Sequence, residues 1–117
     1  MKQKMIVPAS GAVITDADKA AMHAAIDKGW LTAGPINAEF ERELSEFTGI
    51  QHVRTCNSGS SANLLAVATM VESGRWKRGD HIICVAASFP TTINPLLLYG
   101  LIPVFVDIDL DTLNANV

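Results

Sequence analysis

Two almost wholly apolar segments, residues 81–86 and 102–108, constrain the fold of this chain most strongly. Neither shows the polar alternation of a strand that has one face in water. A segment of helical character, residues 91–99, lies between them and provides the crossover that parallel strands require. A further short strand is expected at residues 53–56. The pattern therefore predicts an α/β fold, a mostly parallel sheet with helices on both faces.

Hydrophobic periodicity and capping residues predict three more helices. They cover residues 15–28, 38–48 and 60–73. Thr15 is the expected N-cap of the first and Asn37 that of the second. The third is apolar on nearly all sides, which is typical of a helix buried against a sheet. The first helix carries a narrow apolar stripe that is expected to be buried, formed by Ala21, Met22, Ala25 and Ile26. The second is an amphipathic surface helix with Phe40, Leu44 and Phe47 on one face.

Composition and charge exclude several functional classes. The chain has 117 residues, enough for one domain at most, and a net charge of −3 that gives no electrostatic footprint for nucleic acid or an anionic membrane. Proline and glycine interrupt the longest apolar stretch, residues 95–106, so no membrane span is predicted. Residues 1–13 lack the apolar core of a secretion signal.

Two cysteines, Cys56 and Cys84, cannot form a disulfide framework. Both fall in predicted apolar strands, where they are expected to pack as inert residues. The expected compartment is the reducing cytoplasm. No metal site is predicted, because the histidines are isolated and the three alternating aspartates lack the partners of a calcium loop. Those aspartates are Asp107, Asp109 and Asp111.

The segment with the clearest chemical content connects residues 53–56 to the third helix. Gly59 lets the backbone approach a ligand closely, and the hydroxyls of Ser60 and Ser61 add donors to the free amides of a helix N-terminus. The segment matches neither a Walker loop, nor the dinucleotide G-x-G-x-x-G motif, nor the G-x-S-x-G nucleophile elbow. Two interpretations remain open, a phosphate-binding turn and a serine-rich N-cap that binds only water.

Two aromatic residues mark other candidate segments. Phe89 follows the strand at residues 81–86, at the sheet edge where ligands of parallel sheets bind; it can stack on a planar cofactor or fill the core. Trp30 opens residues 30–35, which also contain Thr32 and Gly34. This segment is either a shaped loop or an ordinary turn that Trp30 pins to the core.

Taken together, three segments resemble a known family. They are residues 30–35 (WLTAGP), 57–66 (NSGSSANLLA) and 89–95 (FPTTINP). In this order they are similar to N-terminal motifs of the DegT/DnrJ/EryC1/StrS sugar aminotransferase family, which has the fold type I of enzymes dependent on pyridoxal phosphate (PLP). The sequences of these three motifs are most similar to those of the CDP-4-dehydro-6-deoxyglucose 3-dehydrases of lipopolysaccharide biosynthesis. The resemblance covers essentially the whole chain.

The resemblance implies the roles of the candidate residues. The phosphate of pyridoxamine phosphate (PMP) or PLP would be held by Gly59, Ser60 and Ser61. Phe89 would stack on the pyridine ring. A substrate or dimer-interface loop near a nucleotide-sugar site would include Trp30, Thr32 and Gly34. The implied activity is the removal of the C3 hydroxyl group of a CDP-4-keto-6-deoxy hexose, by a homodimer that works with an iron–sulfur flavin reductase.

Members of this family run to several hundred residues. The chain is therefore expected to be a fragment, in which residues 1–117 form an N-terminal arm with helices and the first part of the cofactor-binding large domain. The catalytic lysine or histidine, the aspartate that pairs with the pyridine nitrogen and any cluster cysteines are expected beyond residue 117. The fragment alone is expected to be inactive. The alternatives are a keto-sugar aminotransferase of the same family and a non-catalytic phosphate-binding or interaction domain.

Overall fold

The computed structural model describes residues 11–116, so the first ten residues of the segment searched for a secretion signal lie outside it. Its elements are, in chain order, helices α1 (Asp16–Asp27), α2 (Pro35–Thr48) and α3 (Gly59–Glu72), strand β1 (His81–Val85), helix α4 (Pro90–Leu98) and strand β2 (Ile102–Val106). The chain divides into two compact units, residues 1–53 and 54–117. The first contains α1 and α2, and the second contains the other elements.

Helix α1 begins where the sequence predicts. The Thr15 hydroxyl accepts a hydrogen bond from the Asp18 amide at 3.3 Å, and the Asp18 carboxylate accepts one from the Thr15 amide at 2.7 Å. This reciprocal pair, a capping box, satisfies donors that a helix N-terminus leaves open. The bonds from Thr15 lower the pKa of Asp18. The predicted buried stripe is wrong, because Met22 and Ile26 are exposed.

Helix α2 begins three residues earlier than predicted. Gly34 is its N-cap and Pro35 its first residue, so the prediction that Asn37 caps it is wrong. The proline ring fixes a helical φ and carries no N–H group, and both properties suit the first helical position. The helix ends as predicted at Gly49, whose φ of 72° favours glycine. The Arg42 guanidinium and the Glu46 carboxylate form an ion pair at 2.7 Å on its polar side.

The sheet of the second unit consists of β1 and β2, paired in parallel with His81 opposite Ile102 and Val85 opposite Val106. Helix α4 is the crossover between them, as predicted. Residues 53–56 are irregular, so the prediction of a strand there is wrong. A strand requires a ladder of hydrogen bonds with a neighbouring strand, and this segment is not a member of the β1–β2 sheet.

A small apolar cluster holds the second unit together. Its buried members are Val67 of α3, Cys84 of β1, Leu96 of α4 and Leu101, and Ile82 packs against them. Burial raises the pKa of the Cys84 thiol, in agreement with its predicted role as an inert packing residue. The cluster covers the face of β1 that carries Ile82 and Cys84.

The opposite face of β1 is open in the described part of the chain. Ile83 is 67% exposed, and its cross-strand neighbour Val104 is also exposed. The sequence predicted strands with both faces covered, and a second cover is not among the described elements of the second unit. Contiguous apolar surface of this kind promotes association.

We expect the isolated 117-residue chain to self-associate through this face. Replacing both Ile83 and Val104 with threonine keeps β-branched side chains while removing apolar surface, and should lower the associated fraction in sedimentation velocity. Leu110→Thr is the matched control, because Leu110 is exposed but lies outside the sheet. A wild-type chain that sediments as a monomer at the same concentration would contradict this expectation.

Candidate phosphate and cofactor site

The serine turn, residues 57–61, leads into α3 through a defined N-cap. The Ser58 hydroxyl accepts a hydrogen bond from the Ser61 amide at 3.2 Å, and the Ser58 carbonyl accepts one from the Ala62 amide at 3.0 Å. The Ser58 hydroxyl also lies 3.2 Å from the Ser61 hydroxyl. This cap starts the helix at Gly59, one residue before the predicted start.

Two amides of the turn remain open. Within residues 11–116, the N–H groups of Gly59 and Ser60 donate to no protein acceptor. Both belong to the first turn of α3, where the helix dipole favours negative charge. A Cβ atom at Gly59 would meet no atom within 4 Å, so the space beside the turn is open. The nearest acidic residue along α3 is Glu72, at its far end. The residues present therefore fit a phosphate group.

Phe89 lies at the N-cap of α4, just beyond the carboxyl end of β1. Its side chain is 71% exposed, which excludes the alternative that it fills the core of this unit. A ring so placed is available for stacking on a planar group. Its contact with a cofactor remains a prediction.

Helices α3 and α4 place the serine turn close to the first turn of α4. A cavity of about 270 Å³ lies between them and is lined by Ser60, Leu64, Thr91, Asn94, Pro95 and Leu98. Ser60 and Thr91 thus border one space, and Thr91 follows Phe89 by two residues. The serine turn and the segment that follows Phe89 therefore lie close together, at the N-termini of α3 and α4.

A contact between Asn63 and Thr91 was not predicted from the sequence. The Asn63 side-chain amide donates to the Thr91 carbonyl at 3.4 Å and links α3 to α4. The sequence contains one signal for it, because Pro95 cannot donate to the carbonyl of Thr91 four residues earlier. Locating the donor required the fold.

The loop at residues 30–35 is a shaped loop. The Trp30 indole N–H donates to the Ala33 carbonyl at 3.0 Å, and the indole lies so close to Gly34 that a Cβ atom there would overlap it. Trp30 is 59% exposed, so the alternative that it is pinned to the core is wrong. One cavity of about 370 Å³ is lined by Lys28, Trp30, Thr32, Gly34, Pro35 and Ile36. The three residues predicted for this loop therefore border a single space.

Cys56 differs from its prediction. It lies in the irregular segment before the serine turn and is exposed, and its thiol donates to the Ser58 carbonyl at 3.5 Å. In residues 11–116 no three acidic, histidine or cysteine side chains are grouped as metal ligands would be. No described helix has the length and apolar character needed to span a membrane.

Comparison with known proteins decides the family. The family model for the DegT/DnrJ/EryC1/StrS aminotransferase family matches residues 12–117. The chain belongs to this family. It is 50% identical over 115 residues to the lipopolysaccharide biosynthesis protein RfbH of Salmonella typhimurium. The aligned region covers 95% of this chain and 26% of that relative.

Other DegT/DnrJ/EryC1/StrS proteins are similar over the same region. A dTDP-4-dehydro-2,6-dideoxy-D-glucose 3-dehydratase of Saccharopolyspora spinosa is 43% identical, over 92% of this chain and 24% of the relative. The chain also matches the structure of Escherichia coli GDP-4-keto-6-deoxy-D-mannose-3-dehydratase with bound hydrated PLP, with a TM-score of 0.87 and a sequence identity of 35%. The match covers 93% of this chain and 28% of that one. Sugar aminotransferases are also among the matches.

These comparisons confirm the predicted α/β fold, because the solved structures that the chain matches are PLP fold-type-I enzymes. They also agree with the predicted similarity to the dehydrase branch. The chain spans about a quarter of the length of the relatives it matches.

The contact between Trp30 and Gly34 makes a testable prediction. In a Trp76→Phe background, where Trp30 is the remaining tryptophan, Gly34→Ala should displace the indole, shift its fluorescence emission to the red and increase its quenching by acrylamide. Gly11→Ala is the control, because a Cβ atom at Gly11 meets no atom within 4 Å. Unchanged emission in Gly34→Ala would show that the indole does not rest on Gly34 in solution.

Proposed function

We propose that this chain is the N-terminal part of a PLP- or PMP-dependent enzyme that removes the C3 hydroxyl group of a nucleotide-linked 4-keto-6-deoxy hexose, with a CDP-linked sugar as the first candidate. The observation that carries the proposal is the serine turn. It offers two open amides and two hydroxyls in a chain that is 43% identical to a sugar 3-dehydratase.

The serine turn would hold the cofactor phosphate. The amides of Gly59 and Ser60 point out of the N-terminus of α3, where an anion is stabilised by about 0.3–2 kcal/mol from the helix dipole. The hydroxyls of Ser60 and Ser61 supply further donors. Ser58 contributes indirectly, because its bond to the Ser61 amide fixes the geometry of the turn.

Phe89 would stack on the pyridine ring of the cofactor. An aromatic side chain that stacks on a pyridine ring restricts its orientation and excludes water from one face. When bound, the cofactor supplies an amine for the 4-keto group and a ring that accepts electrons after proton removal. In our proposal, the residue that moves the proton and the aspartate facing the pyridine nitrogen lie outside residues 1–117.

The loop of residues 30–35 would contribute to substrate binding or to a dimer interface. Its cavity is bordered by Trp30, Thr32 and Lys28, whose side chains carry an indole, a hydroxyl and an ammonium group. These groups suit a flat, hydroxylated and negatively charged ligand such as a nucleotide sugar. We also propose a homodimer in the cytoplasm and an iron–sulfur flavin reductase as the partner that completes deoxygenation.

A sugar aminotransferase is the second candidate. A UDP-4-amino-4-deoxy-L-arabinose–oxoglutarate aminotransferase of Shewanella sediminis is 32% identical to 95% of this chain, so the described residues are compatible with both reactions. The protein expressed from its complete gene distinguishes them when it is incubated with a nucleotide 4-keto-6-deoxy hexose and PMP. Loss of the C3 hydroxyl group supports the dehydrase, and an amino sugar supports the aminotransferase.

The cofactor site itself can be tested by titrating the protein from its complete gene with PMP, which cannot form a Schiff base with lysines. Ser60→Asp should weaken binding by more than tenfold, because it sets a fixed negative charge against the phosphate. Phe89→Ala should weaken it less, by about twofold to tenfold, the equivalent of one stacking contact. Fluorescence of the cofactor reports both affinities.

Two controls isolate the phosphate. Ser73→Asp places the same charge at the opposite end of α3 and should leave PMP affinity unchanged. Pyridoxamine, which has no phosphate, should bind equally to wild type and Ser60→Asp. Negligible effects of both Ser60→Asp and Phe89→Ala would overturn the site. A protein that binds inorganic phosphate but does not bind PMP would favour the non-catalytic phosphate-binding domain.

A further inference from the structure

Helix α4 contains a proline at an interior position. The helix runs from Pro90 to Leu98, and Pro95, its sixth residue, is buried. A proline in this position has no N–H group to donate to the carbonyl four residues earlier, which is that of Thr91. The Thr91 carbonyl therefore lacks the hydrogen bond that the amide of residue 95 would donate in a regular helix.

The donor for this carbonyl comes from the neighbouring helix. The side-chain amide of Asn63 in α3 lies 3.4 Å from the Thr91 oxygen, across a separation of 28 residues in sequence. The amide is on the side of α3 that faces α4, and Asn63 and Thr92 also line a common cavity with Ser88 at the end of β1. The two helices also meet through apolar side chains, Val67 of α3 and Leu96 of α4, which belong to the buried cluster.

The bond connects the two halves of the proposed cofactor site. Asn63 lies four residues, about one helical turn, after Gly59, and Thr91 lies two residues after Phe89. We infer that Asn63 is a positioning residue: by binding the carbonyl that Pro95 leaves open, it fixes the serine turn relative to Phe89. It touches neither phosphate nor ring in this role. The inference rests on the proposed function, because it concerns the same site.

The inference predicts coupling between Asn63 and Pro95. In Pro95→Ala, the amide of residue 95 can donate to the Thr91 carbonyl, so this oxygen depends less on Asn63. Removing Asn63 should then have a smaller consequence. A double-mutant cycle measures this difference directly.

The experiment titrates PMP and, separately, inorganic phosphate into the protein from its complete gene. Asn63→Ala should weaken PMP binding by about threefold to tenfold and leave phosphate binding within about twofold, because phosphate needs only the serine turn. In the Pro95→Ala background, Asn63→Ala should weaken PMP binding by less than about twofold. Asn63→Gln, which restores a donor, should recover part of the affinity.

Thr69→Ala is the matched control. Thr69 lies on the same helix and its hydroxyl also donates to a backbone carbonyl, that of Leu65 at 2.8 Å, without linking α3 to α4. It should leave PMP affinity unchanged. Equal losses of PMP and phosphate binding in Asn63→Ala would indicate a merely structural role and overturn the inference. Identical effects of Asn63→Ala in the wild-type and Pro95→Ala backgrounds would also overturn it. A wild-type protein that binds no PMP would overturn the proposed function together with it.

Discussion

The second unit depends on one small apolar contact, in which Val67 of α3 and Leu96 of α4 pack against Cys84 of β1. Among the described residues no large side chain is completely excluded from water, and besides these three only Pro95 and Leu101 are buried, so this contact brings the three elements together. The serine turn is one end of α3, Phe89 is the residue before α4, and both inherit their positions from the contact. Hydrophobic burial thus sets the positions of residues, the serine turn and Phe89, that lie outside the buried cluster.

At the N-terminus of α3, a few residues determine both where the helix begins and which backbone amides stay available to a ligand. Ser58 satisfies the Ser61 amide and thereby stops the helix from extending towards residue 53. The two preceding N–H groups, of Gly59 and Ser60, are left for a ligand. A helix cap that satisfied every amide would be more stable and could not bind an anion through its backbone.

Local rules predicted those features whose causes are local. The N-cap at Thr15 and the stop at Gly49 depend on residues within a few positions, and both are observed. The start of α2 was predicted wrongly because two local signals competed, and the conformational restriction of Pro35 outweighed the capping tendency of Asn37. The serine turn was predicted because its glycine and hydroxyls are adjacent in sequence.

Features that depend on distant partners escaped the sequence argument. A strand at residues 53–56 has the right composition, but strands are defined by their neighbours. The exposure of Phe40 and Phe47 on α2 likewise depends on what covers that helix, which periodicity does not reveal. The contact between Asn63 and Thr91 joins residues 28 positions apart, so only the fold brings them together.

That contact also restricts how α3 and α4 can slide along each other. Apolar helix surfaces tolerate a shift by one turn, because ridges spaced four residues apart offer similar grooves at each step. After such a shift, Gly59 or Val67 would stand where Asn63 stands now, and neither has a side-chain donor. A single amide therefore adds a directional preference for the observed alignment to the non-directional attraction of the apolar packing.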